Sequence, residues 1–62
     1  RMTKREYEIF LDLAQGMNVG DIADKLNVSS KTVSTHKARL MEKLNANSIS
    51  DLVRYAIAQE LL

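Results

Sequence analysis

A chain of 62 residues makes one domain at most, and at this size only about 60 % of the unfolded surface is buried, which leaves no room for a deep substrate cleft. It holds no cysteine, which excludes disulfides, thiolate metal sites and thiol catalysis, and it contains neither a signal-peptide pattern nor an apolar run near the roughly 20 residues of a membrane span. The formal net charge is only +1, but residues 25–43 carry Lys25, Lys31, Lys37, Arg39 and Lys43 against the single acid Glu42, while the segments on either side are net acidic. A basic block of this kind is either a solvated helix face or an electrostatic footprint for a polyanion.

The first helix is expected over about residues 4 to 15. Thr3 and Glu6 have the spacing of a capping box, in which the hydroxyl accepts from the N3 amide and the carboxylate accepts from the cap amide. Ile9, Phe10, Leu13, Ala14 and Met17 follow with helical periodicity. Gly16 can take the positive φ that closes such a helix. Asn18, with Asp21 at N3, then starts a second helix of about 19 to 26, whose apolar face is Ile22, Ala23 and Leu26. Gly20 inside it costs about 1 kcal/mol relative to alanine, so it is either merely tolerated or needed for a close backbone approach. Asn27 tolerates the left-handed conformation and ends this helix, and Val28 turns inward.

Ser29 caps a third helix of about 30 to 44, a rod of about 22 Å. It is held by Val33, Leu40 and Leu44, widened by Met41, and closed by Asn45. At 100° per residue its opposite face gathers Lys31, Ser34, Thr35, Ala38 and Glu42, flanked by Arg39. Ser48 and Asp51 have the spacing of another capping box and open a fourth helix of about 49 to 59. Its apolar residues, Ile49, Leu52, Val53, Ala56 and Ile57, make a face too wide for one neighbour and run on to Leu61 and Leu62. With no proline and no strand alternation, the fold class is all-α, a four-helix bundle.

The second and third helices, about residues 19 to 38, have what a helix-turn-helix needs. Ala23 is small enough for the crossing, Asn27 reverses the chain, Val28 plugs the turn, and the third helix holds on by one stripe. In such a motif the first turns of the second helix enter the major groove while the preceding helix crosses the phosphate backbone. Ser34, Thr35 and Ala38 then approach base edges: hydroxyls can donate or accept, and the Thr35 and Ala38 methyls can meet thymine methyls. Lys31 and Arg39 suit phosphates, with Lys31 also able to reach a purine edge. Asn18 caps a helix whose free amides at Val19 and Gly20 form a phosphate cradle, although Asp21 stands close enough to weaken it. Lys37 lies near the apolar stripe, where its stem is expected to snorkel and its charge to act at long range. His36, alone in the chain, is expected to be packed and to donate to a backbone or phosphate oxygen. No ligand set for a metal accompanies it, no cofactor is called for, and no nucleophile elbow or base–orienter pair suggests an enzyme.

The run "SKTVSTHKARLMEKLNANS", preceded by "MTKREYEIFLDLAQGM" and "DIADKLNVS", resembles the LuxR/NarL-type (GerE- or FixJ-like) helix-turn-helix domain over about residues 2 to 62. Lys31, Thr32, Val33, His36, Lys43, Leu44 and Ser48 carry the likeness. The resemblance implies a transcription-regulator domain, residues 1–62, that binds an inverted repeat in double-stranded DNA as a homodimer. Its fourth helix, with Ile49, Leu52, Val53, Ala56 and Ile57, would supply the dimer contact. Position by position, Lys31, Ser34, Thr35 and Ala38 match base-facing sites, and His36 and Arg39 match sites near the backbone. Where relatives often place a long basic side chain, this sequence has Ser34 and Ala38, and Ile49 replaces a commonly basic residue. That shifts recognition toward Lys31, Thr35, DNA shape and bridging water. The resemblance also implies a bacterial cytoplasmic protein in which this is an excised C-terminal domain, preceded by a receiver or ligand-binding domain of a two-component response regulator. A start at Arg1 rather than methionine agrees with an excised piece.

Two other functions fit the same residues. A helical protein-interaction module would use the wide fourth-helix face and ignore DNA. An RNA-binding domain is disfavoured because Tyr7, Phe10 and Tyr55 are the only aromatics and none falls on the basic face for base stacking.

Overall fold

The structure is a computed structural model that describes residues 2–62. It holds four helices, α1 (Lys4–Ala14), α2 (Val19–Leu26), α3 (Ser30–Lys43) and α4 (Ile49–Ala58), with no strand among the described residues. Each helix starts on the residue that its sequence announces. Thr3, Asn18, Ser29 and Ser48 all sit in extended backbone and accept the N3 amide on their side chains. At α1 the capping box is complete, with Glu6 Oε1 accepting the Thr3 amide at 3.0 Å. At α4 the expected reciprocal bond is displaced: the Asp51 carboxylate accepts from the Asn47 amide at 2.8 Å, one residue before the cap.

All four helices also stop in the same way. A residue with positive φ follows each one: Gly16 at +99°, Asn27 at +57°, Asn45 at +53° and Glu60 at +58°. At each, paired amides return to the last turn, as in Val28 N to Ala23 O at 3.0 Å and Asn27 N to Asp24 O at 3.2 Å. This is the Schellman closure. The first three residues are of types that accept this backbone. Glu60 is not, and the apolar run that pointed on to Leu61 and Leu62 concealed the turn there.

α1 is the central element, packing against both α3 and α4, while α2 lies mainly on α3. The core is Ile9, Phe10, Leu13 and Ala14 of α1, Ile22 and Ala23 of α2, Val33 and Leu40 of α3, and Leu52 and Ala56 of α4. Phe10 meets Tyr55 edge-on at 5.7 Å between ring centroids and Tyr7 at a tilt at 6.1 Å. Met41, Leu44, Met17 and Val28 pack around this core half-buried.

The sequence pattern did not anticipate two buried acids. Glu6 and Asp12, both on α1, are 2 % and 6 % exposed. Lys43 Nζ of α3 reaches Glu6 Oε1 at 2.7 Å, and Lys25 Nζ of α2 takes both Asp12 oxygens at 2.9 and 3.0 Å. α1 therefore holds α2 and α3 by charge as well as by packing. The bond from Lys43, joined by the Thr3 amide, lowers the Glu6 carboxyl to about 2 against the opposing effect of burial. The Asn47 amide, with Arg54 alongside, holds Asp51 below its ordinary range.

Candidate nucleic-acid interface

α3 divides cleanly between two surroundings. Val33 and Leu40 are fully buried, and Met41 and Leu44 pack against the core beside them. One half-turn away, Lys31, Ser34, Thr35, Ala38, Arg39 and Glu42 are all exposed. The helix is thus anchored along one stripe and presents the other to solvent, with the exposed stripe beginning at the N-terminal turn that Ser29 caps.

The ion pairs change how the basic block is understood. Lys25 and Lys43, two of its five cations, are bonded to Asp12 and Glu6 on α1. Lys31, Lys37 and Arg39 make no ion pair among the described residues. Within this block the charge available to a polyanion is narrower than the count of five indicates, and it stands on α3.

Lys37 does not join the outer face. It is half-buried and lines a groove of about 390 Å³ with Leu13, Gly16, Met17, Asn18, Val19 and Ile49. The groove brings Lys37 to the N-terminus of α2, together with Asn18 and Val19. There the Asn18 side chain accepts the Asp21 amide at 2.8 Å, leaving the amides of Val19 and Gly20 without a partner among the described residues. A Cβ added at Gly20 would meet only Asn18 Oδ1, at 3.4 Å, an ordinary contact. Neither packing nor backbone conformation within the domain therefore demands glycine at this position.

His36 is half-buried. Its Nδ1 is enclosed and has no hydrogen-bond partner among the described residues, so the expected donation to a backbone oxygen is not made from that atom. Thr35 Oγ1 donates to the Lys31 carbonyl at 3.0 Å, one turn back on the same helix, a bond that composition could not show. No group of three or more acidic, histidine or cysteine residues able to hold a metal occurs among the described residues.

On α4 the expected face separates into two. Leu52 and Ala56 are fully buried against the core and have no surface to offer a second molecule, which corrects their assignment to a dimer contact. The i, i+4, i+8 stripe of Ile49, Val53 and Ile57 stays accessible, with Ile57 58 % exposed. The width of the apolar face comes from serving an internal neighbour on one side and solvent on the other.

A short helix pair closed by a left-handed asparagine, with its second helix exposing small and cationic side chains, defines a helix-turn-helix domain of the DNA-binding class. Residues 1–56 match the family described as bacterial regulatory proteins, luxR family. The chain belongs to that family, and its function is DNA binding in transcription regulation. It is 49 % identical over 61 residues to the oxygen regulatory protein NreC of Staphylococcus epidermidis, covering 98 % of this chain and 28 % of that protein. BvgA of Bordetella pertussis, named for transcription regulation of virulence factors, is 49 % identical over 55 residues, or 89 % of this chain and 26 % of its own length. The fimbriae Z protein of Salmonella typhimurium is 43 % identical over 61 residues, 98 % of this chain and 29 % of its own length. The chain thus spans between a quarter and a third of the length of these relatives.

Proposed function

We propose that α3 lies in the major groove with Lys31, Ser34, Thr35 and Ala38 toward base edges. Asn18, Val19 and Gly20 at the start of α2, with His36, Lys37 and Arg39 of α3, face phosphates. The observation that carries this is the division of α3: the face opposite the core holds the small side chains and, with its flank, Lys31 and Arg39, two of the three cations of the 25–43 block that α1 does not neutralise. Cations without an internal partner can displace counterions from DNA, and small neutral side chains between them let the helix approach base edges closely.

Two copies would read an inverted repeat with half-site centres about 34 Å apart, paired through Ile49, Val53 and Ile57 of α4. Residues 1–62 form the DNA-binding output domain, C-terminal in a bacterial cytoplasmic response regulator. A receiver or ligand-binding domain elsewhere in the protein controls pairing. No helix among the described residues is long and apolar enough to cross a membrane.

The test is affinity for a duplex selected from a random pool, measured against salt. A steep fall with salt and a clear preference over random duplex are expected. Salt-independent self-association without duplex binding, seen by sedimentation, would instead identify a protein-interaction module.

A further inference from the structure

The exposed face of α3 carries two hydroxyls that differ in one respect. Ser34 has no hydrogen-bond partner among the described residues, whereas Thr35 donates its single hydroxyl proton to the Lys31 carbonyl at 3.0 Å. The bond turns the Thr35 oxygen back against its own helix. Thr35 is nevertheless exposed, and with the oxygen turned back its outward surface is carried by its methyl group. Ala38, also exposed, lies three residues on, about 4.5 Å farther along the axis and on the same side, and it contributes a methyl and nothing else.

We infer that Thr35 and Ala38 act as a methyl pair that reads the 5-methyl group of thymine, leaving hydrogen-bonded base readout on this face to Ser34 and Lys31. The inference rests on the proposed docking of α3 and names the chemical feature that docking would read. In the major groove the thymine methyl is the distinctive apolar group, and cytosine shows no equivalent at that position. An apolar contact suits a threonine whose donor is already satisfied.

The experiment takes a duplex that this chain selects from a random pool and replaces each thymine in turn with deoxyuridine, which removes the methyl and keeps every hydrogen-bonding group. At one position per half-site, loss of the methyl is expected to weaken binding about three- to five-fold. Thr35→Val, which keeps a methyl and removes the hydroxyl, retains that ratio. Thr35→Ser, which keeps the hydroxyl and removes the methyl, binds both duplexes alike, and Ala38→Ser lowers the ratio. Indifference to deoxyuridine at every position overturns the inference. So does loss of the preference in Thr35→Val with its retention in Thr35→Ser, which would make the hydroxyl the reader. If no duplex is enriched from the pool, the docking of α3 itself falls and takes the methyl pair with it. That failure precedes any base replacement, so the two are distinguishable.

Discussion

Lys43 Nζ stands 2.7 Å from Glu6 Oε1 and ties the last turn of α3 to the first turn of α1 across 37 positions of chain. The carboxylate is almost wholly buried and also completes the α1 capping box, so one side chain both starts a helix and fixes the helix that carries the exposed small and basic face. Its folded-state pKa, about 2, lies below the ordinary 4.5. A depressed carboxylate adds stability that is fully present above the unfolded value and is lost as pH falls through the folded one. Thermal melts of the wild type should therefore decline as pH drops from 4.5 toward 2. In Glu6→Gln that part of the decline should flatten, and an unchanged profile would show that the pair contributes nothing.

The division between neutralised and available cations can be read from salt dependence. Removing a phosphate contact lowers the magnitude of the slope of log K against log salt by about 0.9. Lys37→Ala and Arg39→Ala should each do so, and Lys31→Ala should weaken binding and relax the base preference at one position per half-site. Lys25→Ala should lower the melting temperature and leave the slope alone, because its ammonium is bonded to Asp12. Equal slopes for all four variants would remove the distinction.

Gly20→Ala separates stability from binding in a single substitution. The added methyl meets only Asn18 Oδ1 at 3.4 Å, so the helix should gain about 1 kcal/mol from propensity. If the α2 amides approach a phosphate closely, duplex affinity should fall in the same variant. A more stable protein with undiminished affinity would mean that glycine is merely tolerated there.

Glu60 closes α4 at φ +58°, a conformation that costs an ordinary L-residue about 1 to 2 kcal/mol and glycine almost nothing. Glu60→Gly is expected to raise stability by about 1 kcal/mol, or about 4–8 °C for a domain of this size, measured by calorimetry. No gain would indicate that the turn does not form in solution.

The two sides of α4 should respond in opposite ways. Ile57→Glu changes an exposed position and should leave stability within about 0.5 kcal/mol, while reducing cooperative occupancy of two half-sites in a footprinting titration. Leu52→Ala opens a cavity in the core and should cost about 2–5 kcal/mol, enough to unfold much of so small a domain. Wild-type pairing in Ile57→Glu would exclude the α4 stripe as the contact.

What the sequence made legible was local chemistry. Thr3, Asn18, Ser29 and Ser48 act on an amide three residues away, and Gly16, Asn27 and Asn45 act through their own backbone, so spacing and residue type suffice to find them. The burial of Glu6 and Asp12 depends on lysines 37 and 13 positions distant, and no periodicity encodes that pairing. The same limit made the basic block look broader than it is. It also merged the two faces of α4, since Leu52 and Val53 are equally apolar in sequence and differ only in what lies across from them. The Thr35 back-bond is local, but it is a choice among rotamers, which residue type leaves open.

The separation of α3 into an anchored and an exposed stripe bears on how such a domain diversifies. Val33 and Leu40 hold the helix without help from Ser34, Thr35 or Ala38, and exchanges at exposed positions ordinarily change stability by less than about 0.5 kcal/mol. On the proposed docking of α3, single substitutions at these sites would re-address the domain to new duplexes while the scaffold is inherited unchanged. A protein with only a few kcal/mol of stability to lose has no comparable freedom anywhere in its core.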